Sequence, residues 1–256
     1  MTYDPCALIP VYNHYRELPG LVAALLKQNL PVFLVDDGSG APARGALDAL
    51  VAANPDTIEL LRFAHNRGKG AALLAGFAIA AERGYTHALQ IDADAQHDPG
   101  DAPALLALSR AHPRALVSGM PAYDESIPAV RYYGRWMTHL LVWLETLSCA
   151  IKDSMCGFRV YPLEQTLACA QRWKTASHMD FDTAIMVRLY LAGTPVFFRP
   201  VAVRYPPDGL SNYRMFRDNL RMTWLHLRLL AGLPLRAAGQ VGSRLLSCVR
   251  RKPLRT

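Results

Sequence analysis

Two carboxylates, an amide and an imidazole follow a run of apolar residues in the stretch HALQIDADAQH, residues 87–97. If the apolar run is a buried strand, the alternation of side chains places Asp92 and Asp94 on one face, one strand repeat apart. Two carboxylates this close repel each other, and a hard divalent cation such as Mg²⁺ or Mn²⁺ relieves the repulsion while binding substrate phosphates as well. The spacing therefore predicts a metal site at Asp92 and Asp94, with Gln96 or His97 as a further ligand or neighbour, and helix capping is the alternative.

Two further polar segments follow apolar runs. VDDGS ends one run in an Asp-Gly turn, so either Asp36 or Asp37 is expected to hydrogen-bond the turn and the other to contact the base or ribose of a nucleotide. HNRGKGAA brings Gly68 and Lys69 to the start of a predicted helix, whose N-terminus can receive a phosphate. This segment matches neither the P-loop pattern nor the dinucleotide-binding glycine pattern.

The elements that must position these residues are short apolar runs separated by segments of helical periodicity. Strands that alternate with helices predict βαβ units, and therefore an α/β fold with a mostly parallel sheet. In such sheets the ligand lies outside the carboxyl ends of the strands, which is where the polar segments fall. The predicted strands are residues 6–12, 31–37, 58–64, 87–94 and 115–119.

The 256 residues are enough for one large α/β domain, predicted as residues 1–214, followed by a basic segment at 215–256. The net charge is +7, and from Arg204 to Thr256 eleven Lys and Arg stand against two Asp. Arg alternates there with Trp, Leu and Met, which predicts basic amphipathic helices on an anionic membrane surface, with a partner-binding helix as the alternative. No nucleic acid is expected as a partner, because the leucines of this segment favour lipid.

The five cysteines form neither a CxxC pair nor a zinc-spaced cluster, and the N-terminal segment does not resemble a signal peptide. The sequence therefore predicts a protein of the cytoplasm that binds peripherally to the inner face of the cytoplasmic membrane. Residues 132–151 have apolar side chains at helical spacing, but they include Glu145 and fall short of a clean membrane span. Burial in the core and contact with lipid are both compatible with this segment.

Four motifs, IPVYN, VDDGS, NRGKGAAL and DADAQHDP, occur in an order and spacing that resemble the family 2 glycosyltransferases, in particular the polyprenyl-phosphate or dolichyl-phosphate mannose synthase-like branch. The resemblance covers roughly residues 6–215 and implies a Rossmann-like GT-A fold, a nucleotide-sugar donor and inversion at the anomeric carbon. It implies that Asp92 and Asp94, with Gln96 nearby, hold the Mg²⁺ or Mn²⁺ that bridges the donor diphosphate. The implied donor-binding residues are Pro10, Tyr12, Asn13, Asp36, Asp37, Gly68, Lys69 and Asp92.

Three later segments extend the resemblance to the acceptor. DSMCGFRVY is similar to the acceptor loop of the family, and RYYGR is similar to its acceptor-phosphate segment, although Gly134 stands where the lipid-phosphate enzymes often have Ser. YPPDGLSN is similar to a loop that closes over the donor phosphates, with contacts implied for Ser211 and Arg214. The implied acceptor-binding residues are Arg131, Arg135, Gly157, Phe158 and Arg159.

The segment MDFD lies where many members of the family have a general base, so Asp180 or Asp182 is the candidate, and capping of the following helix is the alternative. An alcohol acceptor needs such a base, whereas a phosphate acceptor is already ionised. The expected function is metal-dependent, inverting glycosyl transfer to a membrane lipid, with polyprenyl phosphate favoured and a lipid or glycan hydroxyl next. A sugar-phosphate nucleotidyltransferase is the alternative enzyme, but VYNHYRELPG lacks its Gly-rich basic signature. A nucleic-acid-binding protein is the non-enzymatic alternative.

Overall fold

The computed structural model describes residues 2–122, 129–173, 176–203 and 214–233, with the side chains of helix α5 described from Gly134 onward. Its seven strands form one sheet in the order β3-β2-β1-β4-β6-β5-β7. β6 runs antiparallel to β4 and β5, and the other pairs are parallel. The strands are β1 Pro5–Val11, β2 Val32–Asp36, β3 Ile58–Arg62, β4 His87–Gln90, β5 Leu116–Ala122, β6 Arg159–Pro162 and β7 Val196–Ala202.

Helices cover both faces of this sheet and bury one apolar cluster on each side. β1 supplies both clusters because its side chains alternate: Cys6 and Leu8 face one side, while Ala7, Ile9 and Val11 face the other. α1, α2 and α4 pack on the second side, and α3, α6 and α7 pack on the first with α5 and α8. The helices are α1 Leu18–Leu26, α2 Ala41–Ala53, α3 Lys69–Glu82, α4 Ala102–Ala111, α5 Ala129–Thr146, α6 Leu163–Arg172, α7 Phe181–Leu191 and α8 Met215–Ala231.

The predicted α/β class and the mostly parallel sheet are confirmed, and each of the five predicted strands overlaps an observed one. β6 and β7 were not predicted. β6 is only four residues long and begins with Arg159, while β7 carries Pro200 in its interior. Both features weaken the pattern by which a strand is identified in a sequence.

The predicted strand at 87–94 is wrong at its end, because β4 stops at Gln90. Asp92 and Asp94 lie in the following turn, where the backbone of Ala95 takes a left-handed φ of 54°. The Oδ1 of Asp94 accepts a hydrogen bond of 3.1 Å from the N–H of Gln96, which stabilises this turn. The two carboxylates are therefore brought together by a turn and not by strand alternation.

α5 and α8 pack against each other on one side of the molecule. Each is half-buried: Val142, Leu225 and Leu229 lie in the core, whereas other large apolar side chains of both helices are exposed. This arrangement fits both readings of residues 132–151, with one face in the core and one outside. Within the described ranges, no helix is long and apolar enough to cross a membrane.

Candidate active site

A cleft of about 1050 Å³ opens at the carboxyl ends of the strands. Its walls come from the ends of β1 and β2, the turn after β4, the start of α3, the segment before α7, and helices α5 and α8. This is the position in which open α/β sheets bind ligands. The sequence-predicted residues that line the cleft are Pro10, Tyr12, Asp37, Gly68, Lys69, Asp92, Asp94, Gln96, Arg135 and Arg214.

Lys69 lies between two carboxylates at the floor of the cleft. Its Nζ donates hydrogen bonds of 2.7 Å to Asp92 Oδ2 and of 2.7 Å to Asp182 Oδ2. The buried amide of Gln90 bridges the same pair, with its Nε2 at 3.3 Å from Asp92 Oδ1 and 3.4 Å from Asp182 Oδ1. Burial by itself lowers the pKa of Lys69, but the carboxylates of Asp182 and Asp92 outweigh it and hold that pKa above its ordinary value.

Asp92 and Asp94 are the candidate metal ligands. Burial, followed by the charge of Asp92, raises the pKa of Asp94, so two like charges face each other in a partly dry cleft. A divalent cation relieves this repulsion, and one or two carboxylates together with substrate phosphates are the usual protein complement for Mg²⁺. The residues present therefore fit such an ion. In the described residues no cluster of three or more His, Cys, Asp and Glu side chains is arranged to hold a metal.

The two acids of VDDGS have different positions. Asp36 is fully buried, and its carboxylate accepts hydrogen bonds from Ser39 N–H at 2.8 Å and from Arg62 Nε at 2.7 Å. Asp37 lines the cleft and accepts from the backbone N–H of Gly68 at 2.9 Å and of Arg67. Burial raises the pKa of Asp37 although these N–H groups favour its ionised form. Asp36 thus belongs to the turn, and Asp37 is the acid of this pair that lines the cleft.

Asn13 supports the same turn from the end of β1. Its backbone takes a left-handed φ of 60°, its N–H donates to Ser39 Oγ at 3.0 Å, and its Oδ1 accepts from the N–H of Gly40 at 2.8 Å. These bonds hold the ends of β1 and β2 together. Pro10 and Tyr12, in contrast, line the cleft directly.

The start of α3 requires glycine because another segment passes close to it. Gly68 has a φ of 99°, and a Cβ at this position would meet the ring of His178 at 2.8 Å as well as the carbonyl of Ser177. The Ser177 carbonyl accepts a hydrogen bond of 3.1 Å from the N–H of Ala71. The N-terminus of α3 is thereby joined to the segment that precedes α7, and Lys69 is held at the cleft.

The segment resembling an acceptor loop lies partly in the core. Phe158 and Arg159 are fully buried, and the Arg159 guanidinium donates to the carbonyls of Asp182 at 2.6 Å and Ser154 at 2.7 Å. This geometry supports a role for Arg159 in fixing the start of α7 and not a direct contact with an acceptor. Gly157 lies against the carboxyl group of Asp92, so it contacts the candidate metal ligand.

Arg135 projects from α5 into the cleft and forms a two-point ion pair with Asp153. Its Nε and Nη2 donate to the Asp153 carboxylate at 2.8 and 3.0 Å. Burial alone favours the neutral acid, but His139 and Arg135 hold the pKa of Asp153 well below its usual range. The Oδ1 of Asp153 also accepts from the N–H groups of Met155 and Cys156, both at 2.8 Å, so Arg135 is rigidly joined to this loop.

The two candidate general bases, Asp180 and Asp182, lie at the start of α7. Asp180 precedes the first residue of α7 and makes no capping hydrogen bond with its side chain, which argues against the capping alternative. Asp182 is buried in the first turn of α7. Arg131 lies within α5, but its side chain is outside the described residues, as is Ser211.

The cleft also contains residues that the sequence did not suggest. His178 and Met179 come from the segment before α7, and Arg217 and Arg221 come from α8. The two arginines are four residues apart, so they lie on one face of the helix, and this spacing was the available signal. The Arg221 guanidinium donates to Asp218 Oδ1 at 2.9 Å. α8 therefore contributes cationic side chains to the wall of a cleft that has acids at its floor.

The chain is similar to known proteins in both sequence and fold. The family model for glycosyl transferase family 2 matches residues 6–173. The polyprenol monophosphomannose synthase of Mycolicibacterium smegmatis is 35% identical over 108 residues, which are 41% of this chain and 40% of that protein. The dolichyl-phosphate beta-glucosyltransferase of Dictyostelium discoideum is 27% identical over 84% of this chain and 70% of its own length. The alignment with the mycobacterial protein thus spans less than half of its length.

Two solved structures share the fold. Glucosyl-3-phosphoglycerate synthase from Mycobacterium tuberculosis superposes with a TM-score of 0.62 at 16% identity, over 91% of this chain and 80% of that chain. The mannosyltransferase PcManGT from Pyrobaculum calidifontis, solved with GDP-Man and Mn²⁺, has a TM-score of 0.55 at 16% identity, over 99% of this chain and 77% of that chain. These likenesses confirm the predicted GT-A fold. Because the family match covers more than half of this chain, the chain belongs to glycosyl transferase family 2.

Proposed function

We propose that this glycosyltransferase moves a sugar, with inversion and with the help of a divalent metal ion, from a nucleotide-sugar donor to a polyprenyl phosphate at an anionic membrane surface. One observation carries the proposal: α5 and α8 line the acidic cleft and also expose large apolar side chains on their outer surfaces. A lipid in contact with these surfaces could place its phosphate in the cleft. The exposed apolar residues that do not line the cleft are Trp136, Met137, Leu140, Leu144, Phe216, Leu220, Trp224 and Leu227.

The donor half of the reaction uses the floor of the cleft. Asp92 and Asp94, with Gln96 beside them, would hold Mg²⁺ or Mn²⁺, which neutralises charge that develops on the departing nucleoside diphosphate. The complex of the Pyrobaculum enzyme with GDP-Man and Mn²⁺ supports this assignment. Asp37 and Lys69 both line the cleft, and they are proposed to contact the nucleoside and a phosphate oxygen, respectively. Ser211 and Arg214 are proposed as contacts from the loop that resembles a phosphate-covering segment.

The acceptor half uses the cationic wall. A lipid phosphate is ionised near neutral pH, so it can attack the anomeric carbon without a general base. It does require cationic hydrogen-bond donors, which the wall supplies through Arg135, Arg217 and Arg221. The similarity to a polyprenol monophosphomannose synthase and to a dolichyl-phosphate beta-glucosyltransferase supports this choice of acceptor. Arg131 is proposed as an additional contact on the strength of the sequence resemblance.

The membrane contact is assigned to α5, α8 and the basic segment at 215–256. Basic amphipathic helices bind an anionic surface through buried apolar area together with electrostatic attraction. The exposed Phe216 and Trp224 of α8, with Arg217 and Arg228 on the same helix, have this composition. We retain the division into a catalytic domain at 1–214 and a membrane segment at 215–256, although α8 also contributes to the cleft. The proposed location is peripheral, on the inner face of the cytoplasmic membrane.

A hydroxyl acceptor is the second candidate. In the sequence, Asp180 directly follows the cleft-lining residues His178 and Met179. Its Oδ1 is buried without a hydrogen-bond partner among the described residues. A carboxylate oxygen of this kind could accept the proton of an alcohol. This reading needs Asp180 as a base, whereas the lipid-phosphate reading does not.

The two candidates are separated by one assay. The protein is incubated with Mn²⁺, with a panel of GDP- and UDP-sugars, and with either a short-chain polyprenyl phosphate or the matching polyprenol. We expect transfer to the phosphate, an Asp180→Asn rate close to that of the unmodified protein, and a KM for the lipid phosphate about tenfold higher in Arg217→Ala because a charged hydrogen bond is lost. Arg114→Ala, an exposed arginine that does not line the cleft, is the matched control.

Transfer to the polyprenol, with a loss of about 10² to 10⁴ in Asp180→Asn, would establish the hydroxyl acceptor instead. Asp182→Asn is unsuitable for this decision, because Asp182 is already hydrogen-bonded to Lys69 and Gln90. A change at Asp182 would therefore alter the donor side of the cleft as well.

A further inference from the structure

The ammonium of Lys69 joins two acids that lie 23 and 113 residues after it in the sequence. It contacts Asp92, in the turn after β4, and Asp182, in the first turn of α7, at 2.7 Å each. The amide nitrogen of Gln90 also donates hydrogen bonds to both carboxylates. A candidate metal ligand and a candidate base therefore share the same two donors.

Asp182 is consequently engaged on both of its oxygens. Oδ2 accepts from Lys69, Oδ1 faces Gln90 at 3.4 Å, and the residue is only 5% exposed. Its backbone carbonyl is fixed by Arg159 at 2.6 Å. Asp182 has the surroundings of a positioning residue that holds the Lys69 ammonium beside Asp92, and not those of an acid that faces an acceptor.

Charge relates this arrangement to the divalent ion. Asp92 and Asp94 line the cleft and Asp182 is buried against Lys69, so three carboxylates stand against one ammonium. The ammonium is hydrogen-bonded to Asp92 Oδ2. A divalent cation that approaches Asp92 is therefore repelled by a positive charge that already contacts this carboxylate. A lysine ammonium has three N–H donors, and the two carboxylates account for two of them. A phosphate oxygen is an acceptor for the third.

We propose that Lys69 competes with the divalent ion for Asp92, and that the nucleoside diphosphate resolves the competition, so that metal and diphosphate bind synergistically. The diphosphate gives the ammonium another anionic partner and gives the ion additional ligands. Asp182 retains Lys69 at the floor of the cleft while this exchange takes place. The inference rests on the proposed function, since it takes a nucleoside diphosphate to be the donor fragment in the cleft.

The test measures Mn²⁺ binding by titration calorimetry, alone and with saturating GDP or UDP. In the unmodified protein, we expect the diphosphate to tighten Mn²⁺ binding at least about tenfold, since it adds ligands and negative charge. In Lys69→Met, we expect Mn²⁺ alone to bind about tenfold more tightly and the synergy to shrink by a similar factor, because the competing cation is gone. Lys27→Met, at the exposed end of α1 outside the cleft, removes the same charge and should match the unmodified protein.

If Lys69 had only a structural role, Lys69→Met would weaken Mn²⁺ binding, because loss of the bridge would disorder Asp92. Looser or unchanged Mn²⁺ binding in Lys69→Met overturns the inference. If this variant does not fold, Lys69→Gln keeps a donor without the charge and carries the same expectation. If the unmodified protein shows synergy that the Lys69 variants retain in full, only the inference fails; if it binds neither GDP nor UDP with Mn²⁺, the proposed function fails with it.

Discussion

Gly157→Ala is the substitution whose effect can be followed most directly from the structure. Gly157 lies against Asp92, and a methyl group at this position would meet the Asp92 carboxyl carbon at 2.7 Å and one of its oxygens more closely still. The carboxyl group cannot simply turn away, because Lys69 holds it at 2.7 Å and Gln90 at 3.3 Å. Alanine thus adds one methyl group exactly where a candidate metal ligand is fixed.

The magnitude follows from the distances. Ordinary contact with a Cβ begins at 3.4 Å, so the carboxyl carbon of Asp92 must move by at least about 0.7 Å. A misplacement of about 1 Å in a catalytic group can cost about 10²-fold in rate. We therefore expect turnover to fall by about 10²-fold and the affinity for Mn²⁺ with GDP or UDP to weaken. Overpacking should lower the free energy of unfolding by about 1 to 3 kcal/mol. Loss of folded protein should therefore account for only a small part of the fall in turnover.

The assay compares the initial rate at several Mn²⁺ concentrations, calorimetric binding of Mn²⁺ with diphosphate, and thermal unfolding. Gly20→Ala is the matched control, because this helical glycine has no heavy atom within 4 Å of the added Cβ. It should keep full activity and gain slightly in stability, since alanine favours a helix. Unchanged rate and metal affinity in Gly157→Ala would refute the assignment of Asp92 to the metal site.

Three further predictions concern other parts of the molecule. Asp94→Asn should remove transfer while leaving thermal unfolding nearly unchanged, because it deletes a metal ligand and relieves repulsion from Asp92; normal turnover at low Mn²⁺ or Mg²⁺ would contradict this. Burial lowers the pKa of His87 below 6.5, so the unfolded chain takes up a proton first and the free energy of unfolding should fall as the pH drops from about 6.5 toward the lower folded pKa. His87→Gln should flatten this pH dependence of the free energy of unfolding in urea titrations. An unaltered slope would refute the assignment of the stability loss to His87. Phe216→Ser combined with Trp224→Ser should reduce sedimentation with anionic vesicles at least about tenfold without affecting Mn²⁺ and diphosphate binding, because both side chains are exposed. Equal sedimentation of the two proteins would exclude α8 from the membrane contact.

The parts of the fold that could be predicted from the sequence are those fixed by local patterns. β1 is recognisable as a continuous apolar run because its side chains enter apolar clusters on both faces of the sheet, and the Asp-Gly pair already indicates the turn that follows β2. The carboxyl ends of parallel strands must converge, so the general position of the cleft followed from the order of the elements. These features depend on residues close together in the chain.

The features that could not be predicted depend on residues far apart. The ion pair of Lys69 with Asp182 forms only because α7 begins beside the N-terminus of α3, and nothing local specifies that approach. Arg159 belongs to a segment whose resemblance implies contact with the acceptor, yet β6 lies between β4 and β5 and its Arg159 side chain is fully buried. A basic residue within a motif therefore indicates a site only when the neighbouring strands leave it accessible.

α8 connects the two proposed halves of the site through its attachment to α5. The Nδ1 of buried His226 lies 2.6 Å from Oε1 of buried Glu145, so a buried polar contact joins α8 to α5. Rotation of α8 is restricted, because Leu225 and Leu229 are packed in the core. The cleft-lining Arg217 and the exposed Trp224 therefore keep a fixed relation to each other and to the acidic floor. If α8 lies on the membrane, its attachment to α5 sets the depth at which a lipid phosphate meets the donor. Loss of the His226–Glu145 contact should therefore raise the KM for the lipid acceptor more than it weakens binding of the donor.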